Sequence, residues 1–419
     1  MASTVLTRTP SGAGNQKKWT YSIWFKRVRD NEESALFCVG DNPSSNMCML
    51  RFDPDVINFY SNDSAAGRFS TKMKFRDTNG WYHVVLAYDS ANATSDDRVK
   101  FYVNGDRIPS SDWTSVSAVT QNTDSKVNST SKIHIGERPD GNNHFEGLMS
   151  HIHFCDGYAY AASDFGSTDS TTGEWKINTS PSVSYGTNGF FILKNGNSVT
   201  DESPNSNNFA VEAGTLTKTE DCPSNIFATF NYLYNSGGTV TYNAGSTKFA
   251  ESDNQWKTTF STLGASSGKY YAEFKCNGNW MMVGVADYNV TKSGIADRNF
   301  ASTTFISEQG YGYYNQNGDL YYRGSSTSYG ATYGSGDIVQ VALDCDNNRV
   351  FFGKNGTWQN SADPTNASTG FSMTATDATY VFAAAVQQDE IHANFGNGYF
   401  NTTAVASAGT NASNNGIFE

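Results

Sequence analysis

Two neighbouring stretches decide the fold: WYHVVLAYD at residues 81–89 and RVKFYVNGDRI at residues 98–108. In the second stretch, Val99, Phe101 and Val103 alternate with other residues, so they lie on one face of an extended strand. Asn104 and Gly105 follow directly, and this dipeptide favours the positive φ angles of a type I′ turn. A strand, a tight turn and the start of a second strand predict an antiparallel β-hairpin.

The same period of two recurs in two series of runs. The first series adds residues 19–27, 132–138 and 145–154. After a break, residues 185–197 predict a further strand, and the second series comprises residues 269–276, 279–288, 310–324, 337–356, 379–387 and 390–396. No helical periodicity lasts beyond about two turns, and a short helix is expected near residues 161–165. The sequence therefore predicts an all-β protein: two antiparallel β-sandwich (jelly-roll) domains in tandem with minimal helix.

Changes in composition set the expected boundaries. We expect a first sandwich over residues 1–175, an ordered connector with added strands over 176–235, a second sandwich over 236–400 and a polar tail or linker over 401–419. The connector contains Phe209, Ile226, Phe227 and Phe230, which are residues of the buried type that a flexible linker lacks. The tail is rich in Ala, Ser, Thr and Asn, so we expect a frayed end. Its apolar close, GIFE at 416–419, is typical of the start of a further segment.

The composition also excludes several classes of function. Of 419 residues, 17% are charged and 14% are aromatic, which argues against a long coiled coil and against disorder. The net charge of −12 repels phosphate backbones and anionic lipids, so nucleic acid is not an expected partner. No run approaches the roughly 18 apolar residues of a membrane helix, and the first residues lack a signal-peptide pattern, so we expect no membrane insertion. The six cysteines form no CxxC pair and are interpreted as free thiols.

Four motifs of the first series follow in a distinctive order. They are WTYSIWFKR (19–27), GWYHVVLAYD (80–89), VKFYVNGDRI (99–108) and KIHIGERPDGNNHFEGLMSHIHFCDG (132–157). This order resembles the laminin-G-like, concanavalin A-like jelly roll. The resemblance implies binding of glycans or protein surfaces, often with Ca²⁺. The sequence shows no pattern of calcium ligands that matches the family, so no cofactor is assigned.

The second series carries another set of motifs. They are GKYYAEFK (268–275), MMVGVAD (281–287), GDIVQVALDCDNNRVFFGKNGTW (336–358), TYVFAAAV (379–386) and IHANFG (391–396). Together they resemble a SPRY domain. That resemblance implies a binding module without catalysis, whose partners dock on loops at one end of the sandwich.

The two sets of motifs together indicate a narrower class of protein than either set alone. The opening at residues 6–27, the bridge at 164–177 and 184–194, and the stretches 201–214 and 221–231 resemble virion proteins of bacteriophages, especially marine phages. The resemblance implies a tail fibre, receptor-binding or decorating protein of the virion, assembled in the host cytoplasm. Its implied partners are other virion proteins and a host cell-surface glycan or receptor, and the expected oligomer, by analogy, is a homotrimer. The sequence shows no shaft or coiled coil, which favours a structural adaptor or decoration protein as an alternative.

A glycan-degrading depolymerase is the other alternative, and it needs two carboxylates about 5–10 Å apart. Glucanases of this fold carry E-x-D-x-x-E on one strand, and this chain has no such run. Glu273 and Glu146 each stand alone on their strands, whereas Glu32 and Glu33 are adjacent and face opposite ways on a strand. We therefore predict a protein that is not an enzyme.

Histidines and acidic turns are the candidate metal ligands. His151 and His153 share a strand face by their spacing, and His144 is near in sequence, so either a metal site or a polar face fits this pattern. DCDNNR at 344–349 lacks the Gly and the closing Glu of an EF-hand and is interpreted as an acidic turn. Asp53 and Asp55 are interpreted in the same way. No metal site is predicted.

Tyrosines supply the candidate ligand-binding residues. Tyr329 and Tyr333 lie in the Gly/Ser-rich stretch GSSTSYGATYGSG (324–336), where we expect them to be exposed. Exposed Tyr beside Ser and Gly combines a rigid contact area with adaptable hydrogen bonds, which suits a ligand or partner contact. Ordinary packing, or a contact with a neighbouring virion protein, is the alternative for this loop. Tyr288 and Arg298, in the next loop towards the N-terminus, are further candidates.

Overall fold

The computed structural model describes residues 4–30, 32–41, 47–61, 67–196, 198–234, 240–289, 310–322, 325–374, 378–411 and 414–419. The chain divides into two compact units. The first comprises Met1–Lys218 with Cys222–Ile226, and the second comprises Thr219–Asp221 with Phe227–Glu419. The strands described within the expected connector, at 190–192 and 210–213, pair with strands of the first unit.

The described strands of the first unit are numbered in chain order. They are β1 (Val5–Arg8), β2 (Lys18–Arg27), β3 (Ser34–Val39), β4 (Cys48–Asp53), β5 (Val56–Tyr60), β6 (Arg68–Thr71), β7 (Tyr82–Asp89), β8 (Val99–Val103), β9 (Asp106–Ile108), β10 (Trp113–Ser117), β11 (Ile133–Ile135), β12 (Gly147–Asp156), β13 (Gly166–Thr168), β14 (Trp175–Ile177), β15 (Phe190–Ile192) and β16 (Ala210–Ala213). One sheet has the order β10-β6-β5-β4-β3-β11-β1-β16, and the other has the order β15-β12-β2-β7-β8-β9. Strands β13 and β14 form a separate hairpin.

An aromatic core lies between these two sheets. The alternating residues Trp19, Tyr21 and Phe25 of β2 are fully buried. The Tyr21 ring stacks on Phe37 of the opposite sheet with centroids 4.3 Å apart, and each buried aromatic contributes roughly 1.5–3 kcal/mol to folding. The period of two read from the sequence thus places one face of β2 in the core.

The other face of β2 is also buried, because residues 157–185 cover the outer surface of this sheet. Phe165 is buried there, and Trp175 and Tyr185 pack in the same cluster against Val85 of β7. The Thr20 hydroxyl is a hydrogen-bond donor to the Tyr158 carbonyl at 2.8 Å. The first unit is therefore a sandwich with a third layer on one side.

The described strands of the second unit continue the numbering. They are β17 (Thr241–Asn243), β18 (Lys248–Ala250), β19 (Lys257–Ala265), β20 (Lys269–Asn277), β21 (Met281–Asp287), β22 (Gly310–Tyr314), β23 (Asp319–Tyr322), β24 (Ser325–Ser328), β25 (Ile338–Asp344), β26 (Arg349–Lys354), β27 (Thr357–Trp358), β28 (Phe371–Ser372), β29 (Tyr380–Val386), β30 (Glu390–Asn394), β31 (Tyr399–Phe400) and β32 (Thr403–Ala404). One sheet has the order β17-β18-β30-β20-β25-β26-β27 with β28 also paired to β26, and the other has the order β19-β29-β21-β22-β23-β24. Strands β31 and β32 form a hairpin.

Aromatic rings from both sheets fill the second core. The Tyr313 ring lies 5.6 Å from that of Phe352 across the sandwich. Gly284 of β21 sits where a Cβ would lie 1.8 Å from the Tyr311 carbonyl oxygen of β22, so only glycine fits this close strand contact. All described strand pairings are antiparallel, which confirms the prediction of an all-β fold with two antiparallel sandwiches.

The expected frayed tail folds back onto the second unit. Ile417 forms a parallel bridge with Asn397, and Phe418 forms an antiparallel bridge with Gly409. Phe418 is buried, because Ile417 and Phe418 are apolar and pack against the second unit. The polar composition of the rest of the tail is the reason that a frayed end was expected.

Helix is confined to short 3-10 turns in the described parts of the chain. They are Ser95–Asp97, Ser110–Asp112, Ala162–Asp164, Tyr232–Tyr234 and Ala367–Thr369, and residues 288–289 also lie in a 3-10 turn. No helix among the described residues has the length and apolar character needed to cross a membrane. All six cysteines are free.

Candidate functional site

The two leading tyrosine candidates are core residues, which corrects the expectation that they are exposed. Tyr329 and Tyr333 are each only 5% exposed. The Tyr333 hydroxyl donates to the Tyr313 carbonyl at 2.5 Å, and the Tyr329 hydroxyl accepts from the Phe352 N–H at 3.2 Å. Burial raises the pKa of Tyr329 to about 12.

The stretch around these tyrosines has its backbone polar groups satisfied, and this allows the burial. The N–H groups of Tyr329 and Gly330 donate to the Gly318 carbonyl, and the Tyr333 N–H donates to the Asn315 carbonyl. Gly318 has a φ of +74°, and a Cβ there would meet the Gly330 carbonyl at 2.0 Å. Because the turn docks this way, the Gly/Ser-rich sequence forms a packed loop instead of an open one.

Of the other two candidate ligand-binding residues, the structure describes only Tyr288. Tyr288 is 38% exposed, and its N–H donates to the Thr379 carbonyl at 2.6 Å. Arg298 lies outside the described residues.

The described structure points instead to an exposed tryptophan, Trp280, in the turn between β20 and β21. All eight tryptophans lie in described parts of the chain, and Trp280 alone is exposed, at 47%. Its backbone is fixed, because the Asp389 carboxylate accepts from the N–H groups of Asn279 (2.8 Å) and Trp280 (2.6 Å). The Trp280 carbonyl accepts from the Gln387 N–H at 3.0 Å. A rigid turn thus presents a large aromatic side chain to solvent.

Amide side chains from neighbouring turns surround this turn. The Gln316 side chain donates to the Asn279 carbonyl, and Gln387 Nε2 donates to Asn254 Oδ1 at 3.0 Å. Asn277 Oδ1 accepts from the Ser335 hydroxyl at 3.1 Å. We call this surface the Trp280 rim; it comprises Asn254, Asn277, Asn279, Trp280, Gln316 and Gln387.

The Trp280 rim has the chemistry of a ligand site. An aromatic face offers apolar area to the C–H face of a sugar ring or to an apolar side chain. Amides both donate and accept hydrogen bonds, as hydroxyl-rich ligands require. The sequence prediction missed Trp280, although a tryptophan between Asn279 and the strand, in the polar turn CNGNW (276–280), was the available signal.

The carboxylates considered for hydrolysis have structural partners. Glu273 is fully buried, and its carboxylate accepts from the Tyr271 hydroxyl at 2.9 Å and from Asn394 Nδ2 at 3.0 Å. Burial raises the pKa of Glu273. Glu146 pairs with the Arg29 guanidinium at 3.1 Å.

Glu32 and Glu33 precede β3 and do not lie on a strand, so the expectation of opposite faces does not apply. Both line an open recess of about 590 Å³ together with Pro54, Arg138, Asn142 and Asn143. Glu33 Oε2 accepts from Arg51 at 2.6 Å and from Asn143 at 2.8 Å. Burial acts to raise the pKa of Glu33, but the hydrogen bonds from Asn143 and Arg51 outweigh it and lower the pKa. Glu33 therefore stays ionised and is unsuited to act as a general acid.

The histidines pack against aromatic rings. His151 and His153 both contact Phe191, with ring centroids 5.6 and 3.9 Å away, while His144 lies 3.7 Å from the Glu137 carboxylate. His151 has a φ of +47° at a bulge in β12. Burial lowers the pKa of His151 to about 4 and also lowers the pKa of His153. In the described ranges, no group of three or more His, Cys, Asp or Glu side chains has the geometry to hold a metal ion.

One Ser–His pair resembles a catalytic dyad. The Ser22 hydroxyl lies 2.8 Å from His83 Nε2, and Trp175 Nε1 donates to His83 Nδ1 at 3.0 Å. An indole N–H only donates, so Nδ1 must accept and the imidazole proton is on Nε2. His83 therefore donates to Ser22 and is in the wrong tautomer to activate it as a nucleophile.

Comparison with known protein families supports the assignment of both sandwich domains. Residues 3–164 match the family profile of the concanavalin A-like lectin/glucanases superfamily, of the laminin-G type. Residues 269–398 match the SPRY domain profile. The protein carries a concanavalin A-like domain followed by a SPRY domain, which confirms both domain resemblances. Domains of these two families are typically non-catalytic binding domains.

Similar solved structures cover single parts of the chain. They include the SPRY domain of human HERC1 (18% identity, 35% of this chain, 87% of that chain, TM-score 0.27), a human SPRY domain (14%, 37%, 94%, 0.27) and a heptameric SAP-like pentraxin from Limulus polyphemus (16%, 38%, 71%, 0.27). At these TM-scores the similarities carry no argument about function. No curated protein matches the chain.

Proposed function

We propose that this protein binds a host cell-surface glycan from the surface of a bacteriophage particle, without catalysing a reaction on it. The observation that carries the proposal is the Trp280 rim, where one exposed tryptophan stands among amide side chains on a fixed turn. The phage assignment rests on the resemblance of the domain pair and its connecting motifs to virion proteins. In this setting the protein is a tail-fibre, receptor-binding or decorating component.

The charge of the rim favours a neutral glycan. The Asp389 carboxylate lies under the turn, accepting from the Trp280 N–H at 2.6 Å, and the whole chain has a net charge of −12. An anionic sugar placed on the Trp280 ring would approach this negative charge. A neutral hexose or N-acetylhexosamine pairs its C–H face with the ring and its hydroxyls with the amides.

The test compares two single substitutions in the full chain. Trp280→Ala removes the exposed ring, and Tyr270→Ala is the matched control, because Tyr270 is also 47% exposed on the same domain. We expect the wild-type protein to slow adsorption of the phage to host cells and to bind immobilised host polysaccharide. Trp280→Ala should weaken both by about tenfold or more, as for a central aromatic contact, and Tyr270→Ala should weaken neither.

The remaining outcomes separate the alternatives. Equal binding by wild type and Trp280→Ala would refute the rim as the glycan site. A folded wild type that binds neither cells nor polysaccharide would favour a structural adaptor that contacts other virion proteins. Release of new reducing ends from the polysaccharide would identify a depolymerase.

A further inference from the structure

Residues 157–185 lie over the outer face of the sheet that contains β2 and β7, and we call them the cover. The β13–β14 hairpin in the middle of the cover is mostly exposed, and it pairs with no strand of the two large sheets among the described residues. Side-chain contacts must therefore hold this hairpin on the sheet. Three aromatic side chains of the cover pack in the cluster on this face: Phe165, Trp175 and Tyr185.

His83 of β7 holds the tryptophan of the cover. Trp175 Nε1 donates to His83 Nδ1 at 3.0 Å, and the two rings stack with centroids 6.0 Å apart. The Trp175 ring also lies against Gly105, where a Cβ would be 2.5 Å from the ring. The hairpin is thus seated by an indole side chain that lies against both His83 and Gly105.

His153 of β12 holds the other two aromatic side chains. The Phe165 ring lies 5.2 Å from the His153 ring, and the Tyr185 hydroxyl lies 2.9 Å from His153 Nδ1. His153 is 2% exposed. Two buried histidines on neighbouring parts of the sheet therefore contact all three aromatic side chains that seat the cover.

A proton added to His83 is incompatible with the closed cover. Nδ1 accepts from the Trp175 indole, so a protonated Nδ1 would place two donors against each other. The other groups in contact with His83 are Ser22 and Trp24 of β2 and the Asn104 side chain, and none of them carries a charge. The closed cover therefore offers the imidazolium no compensating anion.

The surroundings of His153 also disfavour a proton. The titratable groups near it are His83, His151, Lys194 and the hydroxyl of Tyr185. Burial lowers the pKa of His153, and the positive charges of His151, His83 and Lys194 lower it as well. Each proton taken up on this face thus makes the next one less favourable while the cover is closed.

We propose that residues 157–185 are an acid-released cover: protonation of His83 and His153 in mild acid lifts this layer from the sheet while the aromatic core of the sandwich stays folded. The core stays folded because its rings lie on the opposite face of β2, away from both histidines. The inference does not depend on glycan binding, because the cover and the Trp280 rim belong to different units.

Proton linkage gives the direction of the change. In the open state both imidazoles meet water and titrate near pH 6.5, whereas in the closed state burial lowers the pKa of His83 to about 3. The closed cover is therefore most stable above pH 6.5 and loses stability as the pH falls towards 3. At pH 5, each histidine favours opening by about 25-fold relative to pH 7.

Hydrogen–deuterium exchange of the full chain at pH 7 and pH 5, read by mass spectrometry and corrected for the intrinsic exchange rate at each pH, tests the release. We expect the protection of the cover to fall by about 25-fold or more at pH 5 and to lie below that of β2 and β7. His83→Gln should remove about 25-fold of this fall, and His83→Gln combined with His153→Gln should leave the protection nearly independent of pH. Thr20→Ala, which removes the hydroxyl that donates to the Tyr158 carbonyl, is the matched control and should lower protection equally at both pH values.

Two results would overturn the proposal. Equal protection of the cover and of β2 at pH 5 would mean that the cover opens only when the whole unit unfolds. A fall in protection that is as large in the double histidine variant as in the wild type would mean that other groups drive the opening. If the double variant does not fold, the comparison of the cover with β2 in the wild type and in His83→Gln still decides between local release and global unfolding.

Discussion

Acidification should destabilise the first unit through His83. This imidazole is 1% exposed and stacks on Trp24 with centroids 4.7 Å apart. Burial lowers the pKa of His83 to about 3. A proton added at Nδ1 would also face the Trp175 N–H, which can only donate.

Proton linkage gives the sign and the size of the change in stability with pH. The pKa of His83 is lower in the folded chain than the roughly 6.5 of an unfolded histidine, so the unfolded state binds more protons below pH 6.5. The contribution of neutral His83 to the free energy of unfolding is therefore complete above pH 6.5 and is lost as the pH falls towards 3. At pH 5 the loss is about 2 kcal/mol. His151, with a pKa lowered to about 4, loses about 2 kcal/mol more at the same pH.

The assay is urea unfolding of the full chain at pH 7 and pH 5, followed by intrinsic fluorescence. His83→Gln removes the titrating group, so its stability difference between the two pH values should be about 2 kcal/mol smaller than that of the wild type. Thr20→Ala is the matched control, because it removes another buried polar contact of the same layer without a titrating group. It should lower stability equally at both pH values. An unchanged difference between pH 7 and pH 5 in His83→Gln would refute the reasoning.

Substitutions at three further positions test the packing and the buried hydrogen bonds, each by urea unfolding. Tyr333→Ala should cost about 3–5 kcal/mol, as expected of a core ring, with no specific loss of glycan binding in the fraction that remains folded. Gly284→Ala should cost about 3 kcal/mol or more, because its Cβ would lie 1.8 Å from the Tyr311 carbonyl oxygen within paired strands. Asp156→Ala should cost about 3 kcal/mol, because the buried carboxylate accepts from the N–H groups of Asn15 (2.9 Å) and Asn188 (3.0 Å). Asp156→Asn should recover part of that loss.

Local sequence patterns predicted the fold because each strand carries its own signal. Alternation in β2 and β8 marked the core face directly, and Asn104 takes the positive φ of the hairpin turn, at +46°. The outer layer over β2 could not be predicted in this way. Thr20 and Ser22 occupy positions that alternation assigns to solvent, and only the return of residues 157–185 buries them.

The candidate site, like the fold, could be predicted from the sequence only in part. Composition identified aromatic residues near Gly and Ser as binding candidates, but it could not distinguish Tyr333, which closes the core, from Trp280, which is exposed. Whether a side chain in a turn is exposed depends on the hydrogen bonds that the backbone of the turn makes with other segments. The N–H of Tyr333 donates to the Asn315 carbonyl, and the N–H of Trp280 donates to the Asp389 carboxylate. These partners lie outside the local sequence of each turn.

The sequence by itself determined that the chain is all-β, that it contains two sandwiches and which families they resemble, because strand alternation and turn chemistry are local properties. Only the tertiary structure decided which aromatic side chain is presented to solvent, which tautomer His83 adopts and where residues 416–419 bind. Each of these depends on contacts between residues far apart in the chain, such as Trp175 with His83 and Phe418 with Tyr271. Such contacts leave no periodic signal in the sequence, since they follow from how turns and sheets pack once formed.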